Sequence, residues 1–77
     1  VTRNETYRIV RGAVNKLPER SRQIATLTLQ GYSLQEIADE LSVSINTVKT
    51  LKKNAYEKLR EMISNQYIVS VLLKIFI

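Results

Sequence analysis

Ser33-Leu34-Gln35-Glu36-Ile37-Ala38-Asp39-Glu40-Leu41-Ser42-Val43-Ser44-Ile45-Asn46-Thr47-Val48-Lys49-Thr50-Leu51-Lys52-Lys53-Asn54 is the stretch on which the fold turns. Ser33 and Glu36 stand three residues apart, the spacing of a capping box, in which each side chain bonds the other residue's backbone N–H. Leu34, Ile37, Ala38 and Leu41 then recur along one stripe and predict a short helix, Leu34 to Leu41. Ser42-Val43-Ser44 interrupts it, and Ser44 suits the N-cap of a longer helix from Ile45 to about Ile63. A short helix, a three-residue turn and a longer basic helix make the layout of a helix-turn-helix over about 33–63. Ile37, Ala38, Leu41, Val43, Ile45, Val48 and Leu51 are its inward positions. Ala38 falls where the two helices come closest, so a larger side chain there would push them apart. Ser42 stands at the turn position where Gly is common, which costs some strain.

On a helical wheel centred on Val48, residues Leu51, Ala55, Leu59 and Met62 fall within about 60° and form the inward arc. Asn46, Thr50, Lys53 and Glu57 fall opposite, with Lys49 and Asn54 at the shoulders. The outward face of the first turns is therefore built from amides, hydroxyls and ammonium groups. Those are the groups that reading a DNA major groove requires: cations for phosphate and for guanine O6/N7, amides for adenine. Lys52, about 40° from the arc's centre, is expected to pack its stem and leave its head free to reach a phosphate. Tyr56 is expected at the edge of the buried arc. Charge is segregated as well. Lys49, Lys52, Lys53, Lys58 and Arg60 face only Glu57 within residues 44–60, whereas the preceding helix holds Glu36, Asp39 and Glu40 and no cation.

Upstream, Tyr7, Val10, Val14 and Leu17 recur at helical steps and predict a helix from Thr2 to Lys16, with Tyr7 in the core. Leu17-Pro18-Glu19-Arg20 breaks it and opens a second helix, Pro18 to about Gln30, burying Ile24, Leu27 and part of Thr28. Gly31 ends that helix, as the residue best suited to a left-handed C′ position. Tyr32 reads as a packing residue. Arg20 and Arg22 are candidates for pairing with Glu19 or the acidic residues that follow. Downstream, the segment 64–77 changes composition abruptly: from Tyr67 to Ile77 only Ser70 and Lys74 are not apolar. As a helix this stretch is about 17 Å long, too short for the roughly 30 Å core of a bilayer. It is expected to be a fifth helix completing a small core, or else a docking surface for another protein.

The chain has 77 residues, which argues for one domain over 1–77 and an all-α fold of four helices plus a C-terminal helical segment. Twelve Lys and Arg against seven Asp and Glu leave a net charge of +5, which points to a polyanionic partner. There is no Cys and no His. Disulfide scaffolds and thiolate metal sites are thus excluded, and the commonest general base and metal ligand are missing. Catalysis, a cofactor and a metal are not expected. A membrane-surface role would call for Trp or Phe beside the cationic face of the long helix, which has neither.

Leu17-Pro18-Glu19-Arg20, Gly31-Tyr32-Ser33-Leu34-Gln35-Glu36-Ile37-Ala38, Asn46-Thr47-Val48-Lys49-Thr50 and Lys58-Leu59-Arg60 together resemble region 4 of an extracytoplasmic-function sigma factor of bacterial RNA polymerase. The resemblance covers about residues 6–62. It implies reading of the minus-35 promoter element in the cytoplasm, while docked on RNA polymerase near the β-flap, with an anti-sigma factor as a further partner. Carried over position by position, it assigns DNA contacts to Asn46, Thr47, Lys49, Thr50, Lys53 and Asn54. It assigns phosphate contacts to Ser33 and Arg22, to which the wheel adds Lys52. Many relatives have Arg where Asn54 stands, so the resemblance carries over no base preference at that position. Two rival readings carry their own marks. A response-regulator output domain would follow a receiver domain and bind as a dimer; a protein-interaction module would no longer bind DNA and would capture an anti-sigma factor or polymerase through the apolar tail, the surface through which two copies of the chain would also pair.

Overall fold

A computed structural model describes residues 3–77. Five helices follow one another: α1 Arg3–Val14, α2 Glu19–Leu29, α3 Leu34–Leu41, α4 Ile45–Met62 and α5 Gln66–Phe76, with no strand among the described residues. The expected start of α1 at Thr2 lies outside the described residues. Its end comes at Val14 rather than Lys16, where the chain tightens through bonds from Lys16 N to Ala13 O and from Leu17 N to Val14 O, both 3.0 Å.

The signals around α3 act as the spacing requires. Glu36 N donates to Ser33 Oγ at 3.1 Å and Ser33 N donates to Glu36 Oε1 at 2.8 Å, so both halves of the capping box form. These bonds, the backbone one first, hold the Glu36 carboxyl below its ordinary pKa. α2 and α3 close in the same way. Tyr32 N bonds Leu27 O and Gly31 N bonds Thr28 O, both at 3.1 Å. Val43 N bonds Ala38 O at 3.0 Å and Ser42 N bonds Asp39 O at 3.3 Å. Each pair of bonds is a Schellman closure, which requires a left-handed residue at the hinge. Gly31 supplies it at φ +92° and Ser42 at φ +56°.

Only the second of these carries a Cβ in that region, at a cost of about 1–2 kcal/mol. Replacing Ser42 by Gly removes that strain but adds back the backbone entropy of Gly, about 0.5–1 kcal/mol. Ser42→Gly should therefore raise stability by about 0.5–1 kcal/mol and the melting temperature by roughly 3–6 °C, read by thermal unfolding. A lower melting temperature would mean that the Ser side chain holds the turn.

α4 spans two buried clusters. Its first half places Val48 against Ile24, Ile37 and Ala38, and this joins α2, α3 and α4 into the helix-turn-helix unit. Its second half places Ala55, Tyr56 and Leu59 among Val10, Val14, Leu17, Ala25, Ile68, Leu72 and Phe76 of α1, the turn after it, α2 and α5. The apolar tail is thus a fifth helix with a buried face of Ile68, Leu72 and Phe76. No described helix is long and apolar enough to cross a membrane.

The second cluster explains where side chains depart from the periodicity. Tyr7 is 62% exposed, not core, because the buried arc of α1 centres on Ala13 and Val14 and leaves Tyr7 on its rim. Its ring lies 5.8 Å from the Arg11 guanidinium carbon, within cation–π range. Met62 is 42% exposed while Tyr56 and Ile63 are buried. Contact with α1 and α5 draws the buried arc of α4 round towards Tyr56 in its second half. Ile45 is exposed rather than inward, and Leu27, Leu34, Leu41 and Leu51 are half-buried rims of the first cluster. Tyr32 is exposed, and it is its backbone that closes α2.

Candidate nucleic-acid interface

The outward ridge of α4 begins at its cap. Ser44 Oγ accepts from Thr47 N at 3.1 Å and shares a 2.9 Å bond with Thr47 Oγ1, so the first turn is held by a hydroxyl pair. One turn on, Thr50 Oγ1 donates to Asn46 O at 3.2 Å. With its proton committed to the helix, Thr50 presents acceptor lone pairs and a methyl group outward. In a major groove such a surface complements the exocyclic amines of cytosine and adenine and the methyl of thymine.

Asn46, Thr47, Lys49, Thr50, Lys53 and Asn54 are all exposed, and they follow one another along the first half of α4. Lys52 is half-buried, as its position beside the arc requires. Neither Lys49 nor Lys53 has an ion-pair partner among the described residues. Two of the three acidic residues of α3 are engaged elsewhere, Glu36 in the capping box and Asp39 with Gln35 Nε2 at 2.9 Å, and Glu40 lies on the side of Arg20 and Arg22. Among the described residues no carboxylate is therefore paired with Lys49 or Lys53, although Glu57 follows Lys53 one turn on along the same face.

The expected phosphate contacts do not gather at one place. Ser33 caps the end of α3 whose first residue, Leu34, shares a groove with Lys49, Lys52 and Lys53. Arg22 is exposed but stands with Gln23, Thr26 and Leu27 beside Glu40 and Leu41, at the other end of α3. Arg20 shares a neighbouring groove with Glu19 and Glu40, without an ion pair among the described residues. The periodicity did not reveal that the last turn of α5, Phe76 and Ile77, lies beside the same lysines. No local signal could have done so, because residues more than twenty positions apart meet there only through packing.

The composition of this ridge suits duplex DNA on chemistry alone, and the chain's similarity to known proteins points the same way. The family described as "Sigma-70, region 4" matches residues 7–59. No curated protein and no solved structure matches the chain.

Proposed function

The chain belongs to the sigma-70 region 4 family, in a form typical of extracytoplasmic-function sigma factors, and from that premise we propose how its surface divides the work. A region 4 domain binds the minus-35 promoter element in transcription initiation, interacts with RNA polymerase and is not an enzyme. In this chain α4 enters the major groove with Asn46, Thr47, Lys49, Thr50, Lys53 and Asn54 toward the bases. Lys49 and Lys53 serve guanine O6/N7 or phosphate, and Asn46 and Asn54 serve adenine. Ser33, Arg22 and Lys52 position the domain on the sugar–phosphate strands. The observation that carries this reading is the exposure of Lys49, Thr50 and Lys53 on one stretch of helix, with no carboxylate paired to either lysine among the described residues.

A second surface supports contact with protein. Tyr7, Val10, Leu29, Tyr67, Val71 and Ile75 line an apolar cleft of about 350 Å³ between α1 and α5, on whose rim Arg3 stands. The β-flap of the polymerase core, or an anti-sigma factor, is the partner class such a cleft suits; a second copy of the chain would compete for it. The place of action is the cytoplasm, where polymerase and promoter meet.

Selection from random duplexes, with the chain bound to core polymerase, tests the DNA assignment. Enrichment of one short motif, with preference at single positions relaxed by Lys53→Ala or Asn54→Ala, is the expected result. A motif unchanged by every substitution along the ridge would remove α4 from base reading.

A further inference from the structure

α5 lies wholly beyond residues 7–59, so nothing in the family match assigns it a role. Its last turn nevertheless borders the reading helix. Phe76 and Ile77 line a groove of about 460 Å³ with Leu34 at the start of α3 and Lys49, Lys52 and Lys53 of α4. Phe76 is 3% exposed and anchors the turn, whereas Ile77 is 72% exposed and stands free at the edge. Three ammonium groups and three apolar side chains meet there, and among the described residues no acidic side chain lines the groove.

The groove lies on one flank of the reading ridge. Lys52, Lys49 and Lys53 sit at about 40°, 100° and 140° from Val48, while Thr47 and Asn54 occupy the other flank. A helix roughly 10–12 Å across nearly fills a major groove about 12 Å wide, so each flank faces one sugar–phosphate strand. The strand on the lysine side must cross the groove that Ile77 borders. A basic rim with an apolar wall complements that strand: phosphates meet the ammonium groups, and a deoxyribose face meets the aliphatic side chain.

We propose that the last turn of α5 is a second DNA-contacting element. Ile77 packs on the deoxyribose of the strand held by Lys49, Lys52 and Lys53, and so limits how deeply and at what tilt α4 enters. The proposal rests on the reading of α4 as the helix that faces DNA. The ligand is the phosphodiester backbone of duplex DNA, recognised without regard to base.

Charge variants at an exposed position test it in the full chain with core polymerase and a promoter duplex. Ile77→Asp should weaken binding by on the order of tenfold relative to Ile77→Ala. Ile77→Lys should tighten binding and steepen the dependence of log K on log salt by about 0.9, one added phosphate contact. Because the chain has no Cys, Ile77→Cys also gives a single attachment point for an iron–EDTA cleavage reagent. Cleavage of one strand at the edge of the bound site is expected from position 77. None is expected from Ser64→Cys, at an exposed position before α5 begins. If all Ile77 variants bind like the parent and position 77 gives no cleavage, while loss of Lys49 and Lys53 still lowers the salt slope, α5 is core alone and the proposal fails. If loss of the lysines has no effect either, the assignment of α4 fails with it.

Discussion

Changing Lys49 and Lys53 together to Ala should lower the slope of log K against log salt for duplex binding by about 1.8. Each lysine that neutralises one phosphate, or a comparable site on a guanine edge, releases close to one counterion, and the slope counts these at roughly 0.9 each. Affinity at low salt should fall by on the order of 100-fold, taking about 1.5 kcal/mol for each charge-assisted hydrogen bond lost. The fold should be untouched, because both side chains are exposed and Ala favours a helix at least as well as Lys. Unchanged thermal unfolding checks that point. Arg8→Ala with Lys16→Ala removes the same net charge from exposed positions on α1 and the turn after it. This control should change the slope far less, since a ridge contact is local whereas long-range attraction is screened beyond about 8–10 Å. Equal effects from the two pairs would mean that DNA responds to overall charge and that α4 has no privileged face.

Leu72→Ala should strongly destabilise the fold, costing about 2–5 kcal/mol. Leu72 has no exposed surface and lies among Val10, Val14, Leu59, Ile68 and Phe76. A domain of this size has a total stability of roughly 4–12 kcal/mol, at about 0.05–0.15 kcal/mol per residue. The variant should therefore be partly unfolded under conditions where the parent is folded, with a urea midpoint sharply lowered. Leu73→Ala removes the same atoms from a side chain that is 45% exposed and should stay within about 0.5 kcal/mol of the parent. The contrast between neighbours tests whether α5 belongs to the cooperative core. Two equally mild variants would mean that α5 is a loosely attached tail, and its placement beside the lysines would lose its support.

Much of the helix-turn-helix is legible from local chemistry. The bounds of α3 follow from a cap three residues before Glu36 and from the stripe ending at Leu41; Ser44 marks the start of α4 by the same logic. Gly31 announces the end of α2 because few other residues tolerate its backbone angle. The members of the outward ridge follow from 100° per residue and need no partner to define them. Tyr7 and Met62 were misplaced for the opposite reason. Periodicity finds a stripe, but the width and centre of the buried arc depend on what packs against it. α1 turns Ala13 inward where the heavier Tyr7 suggested itself, and α5 draws α4 towards Tyr56 and Ile63.

The amino-acid order alone determined four helices, the caps at Ser33, Ser44 and Gly31, the turn between α3 and α4 and the set of donors along Asn46–Asn54, because each arises from neighbours within a turn or two. Tertiary structure alone decided that the apolar tail folds back as α5, that Tyr7 stays at the surface, and that Phe76 and Ile77 arrive beside Lys49, Lys52 and Lys53. Those outcomes depend on which apolar faces bury one another, and hydrophobic burial is non-directional. Stripes on α1, α4 and α5 state that surface must be covered; only the shapes meeting in the core state by what.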